Sequence, residues 1–419
     1  MPFLVKGFSG KKFLSGELPV RGAKNFALKA QAASILFGGD VVLRNMPLIE
    51  DVFKMNDLLS SLGVAVDRIG NRSFRFKSPR NLETNLNTDA AKLFRASIVL
   101  TGPILAREGR VSFSHPGGCV IGKRPIDVFL DAFQKMGAKA RSFKKSYLLE
   151  ADKLHGADIF LKLPSVTATE TLMMTAVLVK GVTILRNCAC EPEIVSLAEF
   201  LNSFGADIKG AGTHTIVVKG GRLLKNGFFK IPPDRIEAGS FAVVAALCGK
   251  NLRIKNCDPS QMMAVLRALE DAGVNIEFDK DALLIKTPRV LKPVDIKTRE
   301  YPGFATDLQA PFSVLLTQAA GRSLLFETVF ENRLGYLSDL NRMGANILVC
   351  DPHRAVINGP TKLRGRDMES PDLRAGLAFL TAAMVAEGDS VINNIYNIDR
   401  GYEKVEERLN AVGAEIKRI

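Results

Sequence analysis

One pattern of apolar and polar positions recurs six times along the chain. An amphipathic helix ends on an apolar residue, a glycine follows, and apolar positions then alternate with polar ones. The glycines are Gly63, Gly137, Gly205, Gly273, Gly344 and Gly413, spaced 68 to 74 residues apart. The third residue past each is apolar: Val66, Ala140, Ile208, Ile276, Ile347 and Ile416. Glycine just past a last turn suits a helix C-terminal cap, and the alternation after it suits a half-buried strand. The preceding helices carry apolar residues at helical spacing, such as Val52, Met55, Leu59 and Leu62, or Ile126, Phe129, Phe133 and Met136. Such stripes predict core faces.

Upstream of each amphipathic helix lies a strand opened by glycine, as in Gly39–Asn45, Gly181–Asn187 and Gly388–Asn394, and before that a more uniformly apolar helix. One repeat therefore reads helix, strand, helix, strand, strand, with an extended segment leading in. The sixth repeat is one strand short at Ile419. The stretch Phe3–Gly7, followed by Phe13, Leu14 and Gly16, matches Ile216–Gly220 followed by Leu223, Leu224 and Gly227. The N-terminal stretch is thus expected to complete the last repeat. The predicted architecture is α/β, with domain I over 22–232 and domain II over 1–21 and 233–419, three repeats in each.

Composition narrows the class without choosing a function. At 419 residues, with 47% hydrophobic and 24% charged positions, the chain suits a soluble protein of two or three domains. No apolar run approaches the roughly 18 to 20 residues of a membrane span, and the first residues lack a signal-peptide pattern, so a cytoplasmic protein is expected. A net charge of +13 favours an anionic partner. The six cysteines form no Cys-x-x-Cys pair and the four histidines are scattered, which argues against a zinc site or disulfide framework. Walker, Rossmann, Gly-x-Ser-x-Gly and His-Glu-x-x-His motifs are all missing from the sequence.

The richest stretch for chemistry is Ser112–Asp127, a loop with Gly117, Gly118, Cys119, Lys123 and Arg124 ahead of Pro125. Fixed positive charge beside a thiol eases its ionisation, although most single cysteines are small buried hydrophobes. Lys24 and Asn25 open an apolar helix, where amide groups and a lysine can cradle phosphate. Arg95 is a candidate anion contact. Asp234, Asp307 and Asp372 hold equivalent places at helix starts in repeats four to six; capping explains such residues, and so does a carboxylate that deprotonates a hydroxyl. Arg333, Arg374 and Arg400 suit bidentate capture of carboxylate or phosphate.

Taken together, the segments Gly22-Ala-Lys24-Asn25, Phe94-Arg95-Ala-Ser97, Pro116-Gly-Gly-Cys119-Val-Ile-Gly-Lys-Arg124-Pro125, Pro164-Ser165-Val166, Pro233-Asp-Arg-Ile-Glu237, Thr306-Asp307-Leu-Gln309, Phe330-Glu-Asn-Arg333 and Ile398-Asp-Arg400-Gly-Tyr402 resemble the UDP-N-acetylglucosamine 1-carboxyvinyltransferase family of enolpyruvyl transferases. The likeness runs end to end. It implies a two-domain inside-out α/β barrel, closed around its substrates by a lid that carries Cys119. It also implies transfer of the enolpyruvyl group of phosphoenolpyruvate to the 3-hydroxyl of UDP-N-acetylglucosamine in peptidoglycan precursor synthesis, with phosphate released.

In that family the residue matching Cys119 donates the proton to the phosphoenolpyruvate methylene, and the one matching Asp307 is the base at the sugar hydroxyl. Lys24 and Arg400 are implied to act with them. Lys24, Asn25, Arg124, Arg333, Arg374 and Arg400 would bind phosphoenolpyruvate. Asn25, Arg95, Arg124, Pro125, Ile126, Asp127, Val128, Leu163, Pro164, Ser165, Val166, Asp307 and Val329 fall where the family holds the UDP-sugar. The resemblance implies no metal, no organic cofactor and no obligate protein, nucleic-acid or membrane partner. Two positions depart from the family pattern: Ala305 where proline is usual, and Thr167 where glycine is usual. The alternatives that remain are the sister enzyme acting on shikimate 3-phosphate and a non-catalytic nucleic-acid-binding repeat protein.

Overall fold

Six four-stranded sheets are built on one plan, each by one of the six repeats. The computed structural model describes residues 1–11, 13–88, 91, 94–114, 126–286 and 288–419. In every sheet a lead-in strand pairs parallel with the first strand of its repeat, and the other two strands follow antiparallel. The third sheet, for instance, runs Asp158–Phe160, Gly181–Arg186, Thr215–Gly220, Asp207–Lys209. All six glycines that end the outer helices have positive φ, between 88° and 110°. Only glycine takes that conformation without a Cβ penalty, which is why the residue recurs.

The described residues form two compact lobes, one drawn from 22–232 and the other from 1–21 with 233–419. Each lobe is knit shut by an exchange of strands near its ends. Phe3–Lys6 lies between Asp389–Asn393 and Ile416–Arg418, antiparallel to both, and supplies the strand missing after Ile416. Leu14–Pro19 then leads into the sheet of repeat four, parallel to Gly249–Lys255. Gly227–Lys230 plays the same part for repeat one, parallel to Asp40–Arg44.

Three core helices fill each lobe. In the 22–232 lobe they are Lys24–Ala33, Thr101–Glu108 and Val166–Leu178; in the other, Arg235–Cys248, Thr306–Gln318 and Leu373–Val385. In two of them burial is nearly complete: every residue from Ala168 to Val177 and from Arg374 to Val385 is buried. The sheets coat them, facing alternate residues inward. Arg95 sits in a 3-10 segment, Arg95–Leu100, that precedes the Thr101–Glu108 helix.

Close helix approach needs small residues. A Cβ on Gly102 would lie 2.1 Å from Thr175 Oγ1 and 2.8 Å from Thr171 Cγ2 on the neighbouring core helix. Gly102→Val is therefore expected to lower the free energy of unfolding by about 1–3 kcal/mol through overpacking. Urea denaturation checks this, and an unchanged midpoint would show that the two helices part freely.

Candidate active site

Three aspartates begin helices at equivalent points of repeats four, five and six, and the structure separates their roles. Asp234 is an N-cap whose carboxylate accepts from the N–H groups of Ile236 (2.8 Å) and Glu237 (3.0 Å). Asp372 caps the same way, from Arg374 (2.8 Å) and Ala375 (3.1 Å). Asp307 does not cap. It sits one position inside its helix, the N-cap being Ala305 without a side-chain bond. Its Oδ1 accepts from Arg333 Nη2 and its Oδ2 from Arg374 Nη2, each at 2.9 Å.

Both guanidiniums are buried, and the Asp307 side chain is 28% exposed. Burial alone would raise the Asp307 pKa. The Arg374 and Arg333 charges and their hydrogen bonds outweigh it, holding the carboxyl well below the usual carboxylate range. Asp307 is thus an anion held between two guanidiniums. Each arginine also has a polar prop. Arg333 Nη1 donates to Thr306 Oγ1 (3.1 Å) and Arg374 Nη1 donates to the Tyr402 hydroxyl (2.9 Å). Tyr402 is fully buried and meets Ser240 Oγ at 3.1 Å.

Of the residues singled out from sequence, the structure brings Asp307, Arg333 and Arg374 together. Val329 lies on the same loop as Arg333, its N–H donating to Glu327 Oε1 at 2.8 Å. Arg400 is half-buried directly after a one-turn helix, Tyr396–Asp399. Thr306, Glu327 and Tyr402 were given no role from sequence, although Thr306 and Tyr402 sit inside recognisable segments. A hydroxyl directly before Asp307 was the available signal. Ala305 adopts φ −64°, the value a proline ring imposes, so the missing proline leaves the backbone as the family residue would hold it.

In the 22–232 lobe, Lys24 opens its core helix, and its ammonium pairs with Asp51 at 2.9 Å. Asn25 follows it, half-buried, as does Arg95 in its own segment. Ile126 precedes the helix Asp127–Lys135, with Asp127 exposed and Val128 half-buried. Leu163 is exposed and Pro164 half-buried; Ser165 caps the helix Val166–Leu178 by accepting from Ala168 N–H at 3.2 Å. A cavity of about 440 Å³ opens beside these two segments, lined by Val128, Asp131, Lys135, Ile159, Phe160 and Lys162 among others. Lys162, paired with Asp131 at 2.7 Å, is a cation that sequence reasoning passed over. Cys119, Arg124 and Pro125 lie outside the described residues.

Three of the other cysteines belong to the core. Cys188, Cys248 and Cys257 are buried, and burial pushes the Cys188 and Cys257 thiols up to about 11. They are core residues. Glu170 is a different case: fully buried on the Val166–Leu178 helix, it faces Lys29 at 3.2 Å, and burial lifts its pKa to about 7. A carboxyl raised in the folded state stabilises most below its unfolded pKa of about 4.3 and loses that contribution as pH climbs through the folded value. Between pH 5 and 7.5 the unfolding free energy is expected to fall more steeply with pH than in Glu170→Gln. Parallel slopes in urea titrations would remove Glu170 as the source.

The EPSP synthase (3-phosphoshikimate 1-carboxyvinyltransferase) family matches residues 8–409. UDP-N-acetylglucosamine 1-carboxyvinyltransferase 1 of Caldanaerobacter subterraneus subsp. tengcongensis is 45% identical over 405 residues, 97% of each chain. The UDP-N-acetylglucosamine 1-carboxyvinyltransferase of Koribacter versatilis is 42% identical over 421 residues, covering 100% of this chain and 96% of its own. Among solved structures, the enolpyruvyl transferase NikO from Streptomyces tendae matches with a TM-score of 0.87 at 23% identity, over 99% of this chain and 98% of that one. EPSP synthase from Acinetobacter baumannii matches at 0.75 and 19% identity, over the whole of both. The structural matches establish the fold alone, while the sequence matches are close enough across the full length to decide between branches. The six-repeat chain with its Asp307–Arg333–Arg374 cluster belongs to the UDP-N-acetylglucosamine 1-carboxyvinyltransferase family of enolpyruvyl transferases.

Proposed function

We propose that this chain moves the enolpyruvyl group of phosphoenolpyruvate onto the 3-hydroxyl of UDP-N-acetylglucosamine and releases inorganic phosphate. The observation that carries the reading is Asp307, the one aspartate of its set that forgoes capping and is gripped by two arginines instead. Phosphoenolpyruvate brings a phosphate and a carboxylate, and the family resemblance assigns Lys24, Asn25, Arg124, Arg333, Arg374 and Arg400 to its binding. The family resemblance assigns the sugar nucleotide to Arg95, Pro125, Ile126, Asp127, Val128, Leu163, Pro164, Ser165, Val166 and Val329.

The chemistry runs in two stages. A proton from Cys119 reaches the methylene carbon, the sugar oxygen bonds to the neighbouring carbon, and Asp307 takes the hydroxyl proton. The tetrahedral adduct then loses phosphate and a methyl proton to restore the double bond. As long as both guanidiniums hold it, Asp307 is a weak base. An incoming phospho-substrate that takes over N–H donors of Arg333 and Arg374 weakens that hold and raises the carboxylate's proton affinity. Base strength and substrate capture are thereby linked. The reading carries a cytoplasmic location and no obligate macromolecular partner; among the described residues no helix is long and apolar enough to cross a membrane.

The test is phosphate release from phosphoenolpyruvate, with UDP-N-acetylglucosamine and shikimate 3-phosphate offered separately. Release that depends on the UDP-sugar supports the proposal. Release with shikimate 3-phosphate alone replaces it with the sister reaction, and no release from folded protein with either refutes transfer.

A further inference from the structure

Four of the six repeats end their first strand on an asparagine with positive φ: Asn45, Asn187, Asn256 and Asn394. Three of these donate a side-chain N–H to a carbonyl at the lead-in strand's end, Asn45 to Ile231 (2.9 Å), Asn187 to Leu161 (2.8 Å) and Asn394 to Ser370 (3.2 Å). In these three sheets the residue is a stitch between the first strand and the lead-in strand. Repeat five has Glu327 there, directly after the strand Gly321–Phe326. A carboxylate cannot make that donation, and the next residue takes over the stitch: Thr328 Oγ1 donates to the Thr298 carbonyl at 2.6 Å. Fold closure therefore does not explain Glu327. Departures from a repeat's own rule concentrate where function overrides structure.

Glu327 is fully buried. Its Oε1 accepts from the N–H groups of Val329 (2.8 Å) and Phe330 (3.1 Å), and its Oε2 from the Thr306 hydroxyl (2.8 Å). The direction of that last bond is forced. A carboxylate only accepts and a guanidinium only donates, so the Thr306 hydroxyl gives its proton to Glu327 and a lone pair to Arg333. Donation therefore runs outward from Arg333 both ways, through the Thr306 hydroxyl to Glu327 and directly to Asp307.

We propose that Glu327 is a positioning residue for enolpyruvyl transfer, fixing Arg333 against Asp307 through the Thr306 hydroxyl. The proposal rests on the reaction assigned above. Glu327→Gln is a selective probe. Its amide oxygen can still accept from Val329 and Phe330, while its amide nitrogen leaves the Thr306 proton without an acceptor and competes with Arg333 for the oxygen.

The expected result is a kcat lowered about 10- to 100-fold, the scale of a small misplacement of a reacting group. The phosphoenolpyruvate KM and the Kd for inorganic phosphate, read by calorimetry, should each rise several-fold. The UDP-sugar KM should stay within about twofold, because the Val329 turn is kept. Thr306→Val should reproduce the effect, Thr306→Ser should recover much of it, and Glu327→Gln/Thr306→Val should be no worse than either single change. A kcat and phosphate Kd both within about twofold of the parent protein, or losses that multiply in the double variant, overturn the proposal. If Glu327→Gln fails to fold, the Thr306→Val and Thr306→Ser pair decides it. If the parent protein releases no phosphate, the reaction assignment has failed instead, and the phosphate Kd of the same variants still decides whether Glu327 places Arg333.

Discussion

Asp307→Ala lowers turnover by about 10²- to 10⁴-fold, the range expected when a general base is removed. Two readouts should move in opposite directions. The sugar hydroxyl loses its proton acceptor, so kcat falls. Arg333 and Arg374 lose the carboxylate that occupies a nitrogen of each, so their donors turn to the nearest available anion. Inorganic phosphate should consequently bind the variant more tightly than the parent protein. Steady-state kinetics with calorimetric titration of phosphate would show both. A loss of only a few-fold in kcat, with phosphate affinity unchanged, would reduce Asp307 to a strut between two arginines.

Cys119→Ser is expected to remove most turnover, again on the order of 10²- to 10⁴-fold, while UDP-sugar binding and the unfolding midpoint are kept. Protonating the methylene carbon of an enol phosphate requires an acid strong enough to give up its proton and close to neutral pH in strength. A thiol flanked in sequence by Lys123 and Arg124 meets that need; a serine hydroxyl is a far weaker acid. The size of the side chain barely changes, so the comparison isolates acidity. Cys119→Asp, an oxygen acid of suitable strength, should recover part of the loss. Full activity in the serine variant would take the proton-donor role away from Cys119.

Much of the fold was legible because its rules are local. A glycine with positive φ after each outer helix and a polar residue at each core-helix start follow from backbone geometry and show in any six-residue window. Repetition made weak signals strong: one Gly63 says little, six in register say a great deal. The site was only partly legible, for a reason visible in the three aspartates. Asp234, Asp307 and Asp372 look alike in sequence, and what distinguishes Asp307 is the approach of Arg333 and Arg374 from other segments. Asp51 beside Lys24, Tyr402 behind Arg374 and Glu327 behind Thr306 are likewise products of tertiary packing. Residue type predicts that a buried arginine has partners; it does not name them.

The strand exchange at Phe3–Lys6 imposes an order on how the two lobes form during synthesis. Sheets within 22–232 draw all their strands from that span, so this lobe can reach its final topology while later residues are still on the ribosome. The other lobe cannot. Phe3–Lys6 is made long before either of its neighbours, Asp389–Asn393 and Ile416–Arg418. Until they appear, that strand has two unpaired edges, and the loop to be closed spans nearly the whole chain. The early-made strand must wait for its late-made partners, so the second lobe closes only once Ile416–Arg418 has been made.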